Sequence, residues 1–385
     1  MSIDYSVIPS PCYVLDEQSL HINLELLNLV QQEAGIKIIC ALKGYSFWYT
    51  FPLLKKYLSG ATASSYNEAR LIAEEMGCEA HCYCPVYLED HFEDLLFYSS
   101  HLTFNSLGQW FKYKDKALNF QKKVSFGLRI NPAYSEITTD LYNPAIPGSR
   151  LGILRQDLGE KLPEGIEGLH FHVLCENDSY VLERCLAQVE AQFSDLIKQC
   201  QWINMGGGHL ITKEGYDIPH LIQLLKDFKQ RYPNLKEIIL EPGEAVGWQT
   251  GVLVSKVQDI VENQGVKVAM LNISFACHAP DTLEMPYKPR IQNAENPENS
   301  TFKHVYRMGG CSCLAGDFIG MGDYAFEEPL EVGDLIIFDD MIHYTMVKTT
   351  FFNGVEHPGI GVWTLDDEFL LLRKPGYKEY KEKLS

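Results

Sequence analysis

The sequence is short of the features that mark membrane, disulfide-stapled or nucleic-acid-binding proteins. No uninterrupted apolar stretch reaches the roughly 20 residues that a helical bilayer crossing needs, so no membrane partner is expected. The opening residues, MSIDYSVIPSPCYVLDEQSL, have neither the basic start nor the apolar centre of a secretory leader, and the protein is expected in the cytoplasm. Eleven cysteines, an odd number, are scattered along the chain, which favours reduced thiols over a disulfide framework. Two clusters invite a zinc test: Cys78, His81, Cys82 and Cys84, and the pair Cys311 and Cys313. Neither has paired C-x-x-C spacing, and a one-residue gap fits tetrahedral chelation poorly, so no metal is expected. Basic residues are scarce too, 33 against 51 acidic ones, for a formal net charge of -18. That balance argues against a phosphate-backbone partner such as nucleic acid and could focus a cationic substrate. Acidity for solubility alone would look the same. Internal repeats and low-complexity tracts are missing as well.

What is present is an alternation of apolar runs and helical patterns. At 385 residues, 46% hydrophobic and 22% charged, the chain has material for one large α/β unit plus a smaller domain. HINLELLNLVQQEAG reads as an amphipathic helix stopped by Gly35, followed by the strand IKIICAL. A helix through FPLLKKYL, a short strand Gly60-Ala61-Thr62-Ala63 and a helix SSYNEARLIAEEMG come next. The rhythm continues through EAHCYCPV, LTFNS, VSFGLRINP, GLHFHVL, QWINMGGG and EIILEPG. About eight such units imply a closed (β/α)8 TIM-type barrel of parallel strands, with its ligand site at their C-terminal ends. After Gly247 the pattern becomes two-residue alternation, with Gln264-Gly265 as a turn and EVGDLIIFDD and HYTMVKTTFF as short β-branched pieces. Residues 15–246 are therefore expected to form the barrel and 247–385 an antiparallel β domain, which residues 1–14 could join.

The barrel rim is where chemistry should collect. Lys43 ends the run Ile38-Ile39-Cys40-Ala41-Leu42 before a break at Gly44. An ammonium behind an apolar strand must find an anion, lower its pKa, reach solvent or serve as a Schiff-base amine. Arg129 in LRINP, His172 in HFHVL, Gly206-Gly207-Gly208, and Glu241 before Pro242-Gly243 mark further strand ends. Three glycines in succession allow close approach of backbone N–H groups to a phosphate, with a helix N-terminus behind them. Pyridoxal 5'-phosphate would use all five positions. It needs a Schiff-base lysine, a phosphate cradle, a flat partner for its ring and a group at its pyridine nitrogen.

The arrangement resembles the alanine-racemase-type, or fold type III, pyridoxal-phosphate decarboxylases, which include ornithine and diaminopimelate decarboxylases. The resemblance runs over almost the whole chain: A-L-K-G (Lys43), L-R-I-N-P (Arg129), F-H-V (His172), M-G-G-G (Gly206, Gly207, Gly208), E-P-G (Glu241), C-L-A-G-D (Cys313, Asp317) and H-Y-T…F-F-N-G (Tyr344, Asn353). It implies that Lys43 binds the cofactor, His172 stacks on its ring, and the glycine loop and Tyr344 hold its phosphate, with Arg129 in the same cofactor-binding set. Glu241 would pair with the ring nitrogen, which favours decarboxylation over racemisation. Cys313 would reach across a head-to-tail homodimer interface to protonate the product carbon. Cys311 could compete, but the C-x-x-G-D spacing points to Cys313.

Departures from the family pattern bear on substrate. Glu244 stands where ornithine and diaminopimelate decarboxylases carry arginine after E-P-G, Leu314 stands where the diaminopimelate enzymes carry glutamate, and Cys175 replaces a phosphate-binding serine. An acidic Glu244 would repel the second carboxylate of diaminopimelate. GGCSCLAGDF and EPGEAVGW resemble the carboxynorspermidine/carboxyspermidine decarboxylases. That resemblance implies removal of CO2 from a cationic carboxylated polyamine to give norspermidine or spermidine. Candidate ligands for its ammonium tail are Glu244, Asp317, Asp281 and Glu284, with His278 as a further one. The competing expectations are diaminopimelate decarboxylase and, in another class, a non-catalytic pyridoxal-phosphate-binding barrel. The second domain argues against the latter.

Overall fold

A computed structural model of the chain describes residues 3–385. They divide into two compact units, Asn23–Val246 on one hand and residues 3–22 with Gly247–Ser385 on the other. The division falls inside the helix Glu17–Ala34. No helix among the described residues is long and apolar enough to cross a membrane.

Unit Asn23–Val246 is a parallel barrel. Its strands follow the order Ala61–Ala63, Ala80–Tyr83, Ser99–Phe104, Ser125–Asn131, Ile166–His170, Trp202–Asn204 and Glu237–Leu240, each parallel to the next. The run from Lys37 to Ala41 closes the ring. Lys37–Ile38 pairs with Glu237–Leu240, and Cys40–Ala41 pairs with Ala61–Ala63. The change of partner falls at Ile39, whose N–H donates to the Leu240 carbonyl at 3.0 Å, while that of Cys40 donates to Gly60 at 3.0 Å. Of the ten strands in this sheet, Ile153–Leu154 lies off the ring and two are halves of the closing run, which leaves eight staves.

The helices between them begin where polar side chains satisfy orphan N–H groups. Ser65, Ser106, Asp178 and Asp217 accept from Glu68, Gln109, Val181 and His220, opening Tyr66–Leu71, Leu107–Leu118, Ser179–Ile197 and Ile218–Arg231. The long helix Ser179–Ile197 buries Leu182, Cys185, Leu186, Val189, Phe193 and Leu196 along one stripe, the spacing of an amphipathic face.

The other unit is a β domain around Gly251–Asn263, which pairs antiparallel with Cys12–Asp16, Val266–Leu271 and Leu335–Asp339. Gln264 and Gly265, at φ 51° and 81°, make the tight turn that the sequence implies, returning the chain with Asn263 opposite Val266. Two pairings are parallel, Cys12–Asp16 with Gly359–Trp363 and Val266–Leu271 with His304–Gly309, so the sheet is mixed although antiparallel contacts dominate. Both join segments that are not sequential hairpin partners, and local alternation carries no information about their direction. Tyr344–Val347, within a stretch whose composition suggests a strand, is instead one helical turn: Lys348 N–H donates to the Tyr344 carbonyl at 3.0 Å. The weak strand preference of a β-branched run yields there to tertiary context.

Candidate active site

All eight staves end at the same rim of the barrel, and the backbone just beyond them sets the site. Past Ala41 the chain turns, with the N–H groups of Gly44 and Tyr45 both returning to the Ala41 carbonyl at 3.0 and 3.1 Å. Gly44 lies flat against the turn that follows Leu240. A Cβ on Gly44 would come 2.9 Å from the Glu244 nitrogen, and one on Gly243 would come 2.6 Å from the Ala41 oxygen. The two turns touch backbone to backbone, so Lys43 and Glu244 are held as neighbours by glycines that leave no room for side chains. The Lys43 side chain reaches solvent yet has protein packed closely around it. Restricted hydration lowers its pKa; Arg129 acts in the same direction, and Cys175, Glu241 and Glu244 oppose it. One amine is thus placed within electrostatic reach of all four.

Glu241 is 8% exposed and is the first residue beyond its strand. Asn204 Nδ2 donates to its Oε1 at 2.6 Å, and His170 Nε2 lies 3.7 Å from Oε2. Burial raises the carboxyl pKa, while hydrogen bonds from Asn204 and Thr62 and the charges of Arg129 and Lys43 partly restore its acidity. Arg129 is itself buried, donates to the His172 carbonyl at 3.1 Å and sits 4.7 Å over the Tyr83 ring.

The glycine loop differs from expectation in two respects. The helix that follows it starts only at Ile218, so no helix N-terminus backs the glycines; the chain needs the intervening residues to turn around the Asn177–His209 bridge first. Two of the glycine N–H groups are also already used, since Gly206 donates to Asn204 Oδ1 at 2.9 Å and Gly207 to His172 Nδ1 at 2.8 Å. The glycines answer to space instead. A Cβ on Gly206 would meet the Phe171 carbonyl at 2.6 Å, one on Gly207 would collide with the Glu241 carbonyl, and one on Gly208 with that of Leu174. The bond from Gly207 fixes the His172 tautomer, because an Nδ1 that accepts cannot carry the proton. Burial, reinforced by Lys43 and Arg129, holds that imidazole well below its usual pKa, so it is neutral.

The remaining predicted residues belong to the β-domain unit. Cys313 is exposed, and its N–H donates to Asn353 Oδ1 at 2.9 Å; Cys311 is exposed as well, its thiol pushed up to about 11 chiefly by burial of the sulfur. Tyr344 is half-buried and opens the helical turn. The acids proposed for a substrate tail turn out to have structural work. Asp317, 5% exposed, accepts from Ala276 N–H and Ser312 N–H, both at 3.0 Å, and so pins the loop that presents Cys313. Asp281 accepts from Tyr287 at 3.0 Å and Thr345 at 2.8 Å, and the exposed Glu284 is paired with Lys348. His278, the further candidate, is wholly buried in this unit: its Nδ1 accepts from Ser274 N–H at 3.1 Å, and its carbonyl accepts a hydrogen bond from the Tyr13 hydroxyl. Of the proposed tail ligands, Glu244 belongs to the same unit as Lys43 and stands beside it. Sequence reasoning passed over Asn204 and His170, although a polar side chain inside an apolar strand was the available signal.

An amine at the barrel rim, a neutral imidazole of fixed tautomer and a buried carboxyl are what an aldehyde-bearing pyridine cofactor requires, and the residues fit pyridoxal phosphate. Barrel and rim together define a barrel-type pyridoxal enzyme. The family described as "Pyridoxal-dependent decarboxylase, C-terminal sheet domain" matches residues 12–342, and the chain belongs to these decarboxylases. It is similar to the carboxyaminopropylagmatine decarboxylase of Synechocystis sp., with 50% identity over 379 residues, 98% of this chain and 96% of that one. The carboxynorspermidine/carboxyspermidine decarboxylase of Campylobacter jejuni is 42% identical, with 98% of each chain covered. The crystal structure of carboxynorspermidine decarboxylase complexed with norspermidine from Campylobacter jejuni superimposes with a TM-score of 0.88 at 41% identity, covering 98% of this chain and 100% of that one.

Proposed function

We propose that this decarboxylase acts on carboxynorspermidine or carboxyspermidine, releasing CO2 and norspermidine or spermidine. The observation that carries the reading is Glu244. An acid held against Lys43 by the Gly44–Gly243 contact suits a substrate with an ammonium tail and disfavours a second carboxylate, as in diaminopimelate. The Campylobacter relative and its norspermidine complex support it. A second reading, carboxyaminopropylagmatine, is favoured by the Synechocystis relative; its name points to an agmatine moiety, which would put a guanidinium at the tail's end. Both substrates would bring positive charge to Glu244.

In this reading Lys43 Nζ holds the cofactor, His172 offers its flat neutral ring, Glu241 faces the ring nitrogen, and Arg129 orients the His172 strand end. Gly206 and Gly207 have spent their N–H groups within the protein, so the loop shapes the phosphate end and other donors, Tyr344 among them, bind it. Pyridoxal phosphate, when bound, supplies the sink for the electrons left by the departing carboxylate. Burial raises the Glu241 pKa and the hydrogen bonds from Asn204 and Thr62 oppose that rise; this carboxyl would stabilise positive charge on the ring nitrogen. Cys313, exposed on the loop pinned by Asp317, is assigned the proton donated to the product carbon in a neighbouring subunit of a homodimer.

A CO2-release assay over carboxynorspermidine, carboxyspermidine, carboxyaminopropylagmatine, diaminopimelate and ornithine tests the reading. Turnover confined to the carboxylated polyamines is expected, and Glu244→Gln should raise KM for them by roughly ten-fold, the loss of one charge-assisted contact. Activity on ornithine alone, or an unchanged KM in Glu244→Gln, would remove its basis.

A further inference from the structure

The loop that carries Cys313 is shaped largely by its own amides. Gly310 N–H donates to the Asp317 carbonyl at 2.7 Å, Ser312 N–H to Asp317 Oδ2 at 3.0 Å, Leu314 N–H to Ser312 Oγ at 3.3 Å and Cys311 N–H to the Ile273 carbonyl at 2.8 Å. None of these bonds involves Cys313 itself. Its N–H crosses instead to Asn353 Oδ1, at 2.9 Å and 40 positions further along the chain. The place of the thiol-bearing residue is therefore tied to the turn Phe352–Gly354.

In that turn Asn353 and Gly354 both lie in the left-handed region, at φ 57° and 71°. Asparagine is among the few residues with a side chain that enter this region readily, and its short amide can still reach a neighbouring N–H. The turn is packed from two sides. Cys277 Sγ donates to the Phe352 carbonyl at 3.4 Å, and the Tyr380 ring lies against Gly354, where a Cβ would come 3.1 Å from the ring's Cζ. Tyr380 belongs to the helix Tyr377–Leu384, none of whose side chains is fully buried. Glu379 fixes the start of that helix, with one oxygen accepting from Gly376 N–H at 2.9 Å and the other 3.4 Å from Arg373 Nη2. A helix of eight residues is marginal by itself, so the packing of Tyr380 on Gly354 stabilises helix and turn together.

We infer that Asn353 is a positioning residue for Cys313, and that the helix Tyr377–Leu384, through Tyr380 on Gly354, keeps Asn353 in place. The inference rests on Cys313 as donor of the proton to the product carbon. Loss of CO2 leaves one C–H bond to be made, either at the product carbon or at the cofactor carbon that was its aldehyde. The first outcome returns the amine product and pyridoxal phosphate. The second gives, from the same atoms, the corresponding aldehyde and pyridoxamine phosphate, and the cofactor is lost to the next turnover. In the productive step the S–H bond of Cys313 breaks, the C–H bond forms, and solvent returns a proton to sulfur. A donor held in one place selects that carbon. Asn353 acts on the Cys313 backbone and not on its sulfur, so it sets where the thiol stands and leaves its chemistry unchanged.

The test uses full-length holoenzyme with 15N-labelled cysteine. NMR reads the hydrogen exchange of the Cys313 amide, assigned through Cys313→Ser, and a parallel assay reads the share of turnovers of carboxynorspermidine and carboxyaminopropylagmatine that end in pyridoxamine phosphate. Asn353→Gly keeps the left-handed turn and removes the acceptor. It is expected to speed exchange at Cys313 about two- to ten-fold, the value of one neutral hydrogen bond, and to raise the pyridoxamine share at least about two-fold. Asn353→Asp, which keeps an acceptor, should stay near the parent. Tyr380→Ala should raise both quantities, and Tyr380→Phe, which keeps the ring on Gly354, neither. Unaltered exchange in Asn353→Gly would overturn the positioning role, and unaltered values in Tyr380→Ala would overturn the part given to the helix. Cys313→Ala separates premise from inference. A pyridoxamine share left at the parent level in Cys313→Ala overturns Cys313 as the donor, and the inference with it; a rise there that Asn353→Gly does not share overturns the inference alone.

Discussion

Asn204 is the residue on which two parts of the site depend, and Asn204→Ala should show it. The side chain is 4% exposed and Glu241 8%, so both bonds are shielded from bulk water. Its amide N–H to Glu241 at 2.6 Å is a bond to a charged group, worth about 1.5–3 kcal/mol, and its bond from Gly206 N–H at 2.9 Å is a neutral one, worth about 0.5–1.5 kcal/mol. The cofactor-free barrel should therefore lose about 2–4 kcal/mol, read as a shift in the urea midpoint of its circular-dichroism transition at neutral pH. The cost should shrink in acid, where Glu241 is neutral and the stronger bond becomes an ordinary one. Asn204→Asp gives the complementary result: it keeps an acceptor for Gly206 but sets a second carboxyl against Glu241, so it should be tolerated in acid and damaging at neutral pH. Pairing Asn204→Ala with Glu241→Gln closes a double-mutant cycle whose coupling should be about 1.5–3 kcal/mol. An Asn204→Ala protein within about 0.5 kcal/mol of the parent would refute the reasoning, since surface substitutions alone behave that way.

Other consequences can be measured on the same protein. Because burial raises the Glu241 pKa, the folded chain holds that proton to higher pH than the unfolded chain; this contribution is complete below the ordinary carboxyl pKa and is lost as pH rises through the folded value. Glu241→Gln should flatten that limb of the stability–pH curve in cofactor-free protein, and an unchanged slope would show that Glu241 is not its source. Asp317→Asn exchanges one acceptor for a donor facing an N–H, and should cost about 1–3 kcal/mol while raising hydrogen exchange in residues 310–317. Unaltered exchange there would show that the loop is held by something else.

Much of the barrel was legible because a buried parallel strand announces itself as a short apolar run, and a helix by its stripe and its cap. Lys43, Glu241 and the glycine loop could be located for the same reason: each follows such a run. What the pattern could not carry was pairing over long distances in the chain. The parallel partnership of Cys12–Asp16 with Gly359–Trp363 depends on segments some 350 residues apart in the sequence, which no local period records. Side-chain duty was equally hidden. Asp317 and Glu244 look alike as acids near family motifs, yet one is consumed by two backbone amides and the other stands beside the lysine. Gly206 and Gly207 looked like phosphate donors, but their N–H groups go to Asn204 and His172, a choice fixed by loop geometry rather than composition. His170 was overshadowed by His172 because two histidines at strand spacing share a face, and their depths differ only in three dimensions.

The seam at Ile39 has a bearing on how the site comes into being. Lys43 rides on the one run that must meet both its near neighbour, Ala61–Ala63, and a strand some 200 residues further on, Glu237–Leu240. Pairing with the first is local and early; pairing with the second closes a long loop and is slow to find. Until that last stave docks, Gly44 has no Gly243 to lie against, and the amine and the acid beside it have no fixed separation. Cofactor attachment during refolding should then serve as a clock for ring closure, appearing with the final seam and not with the bulk of the helical signal.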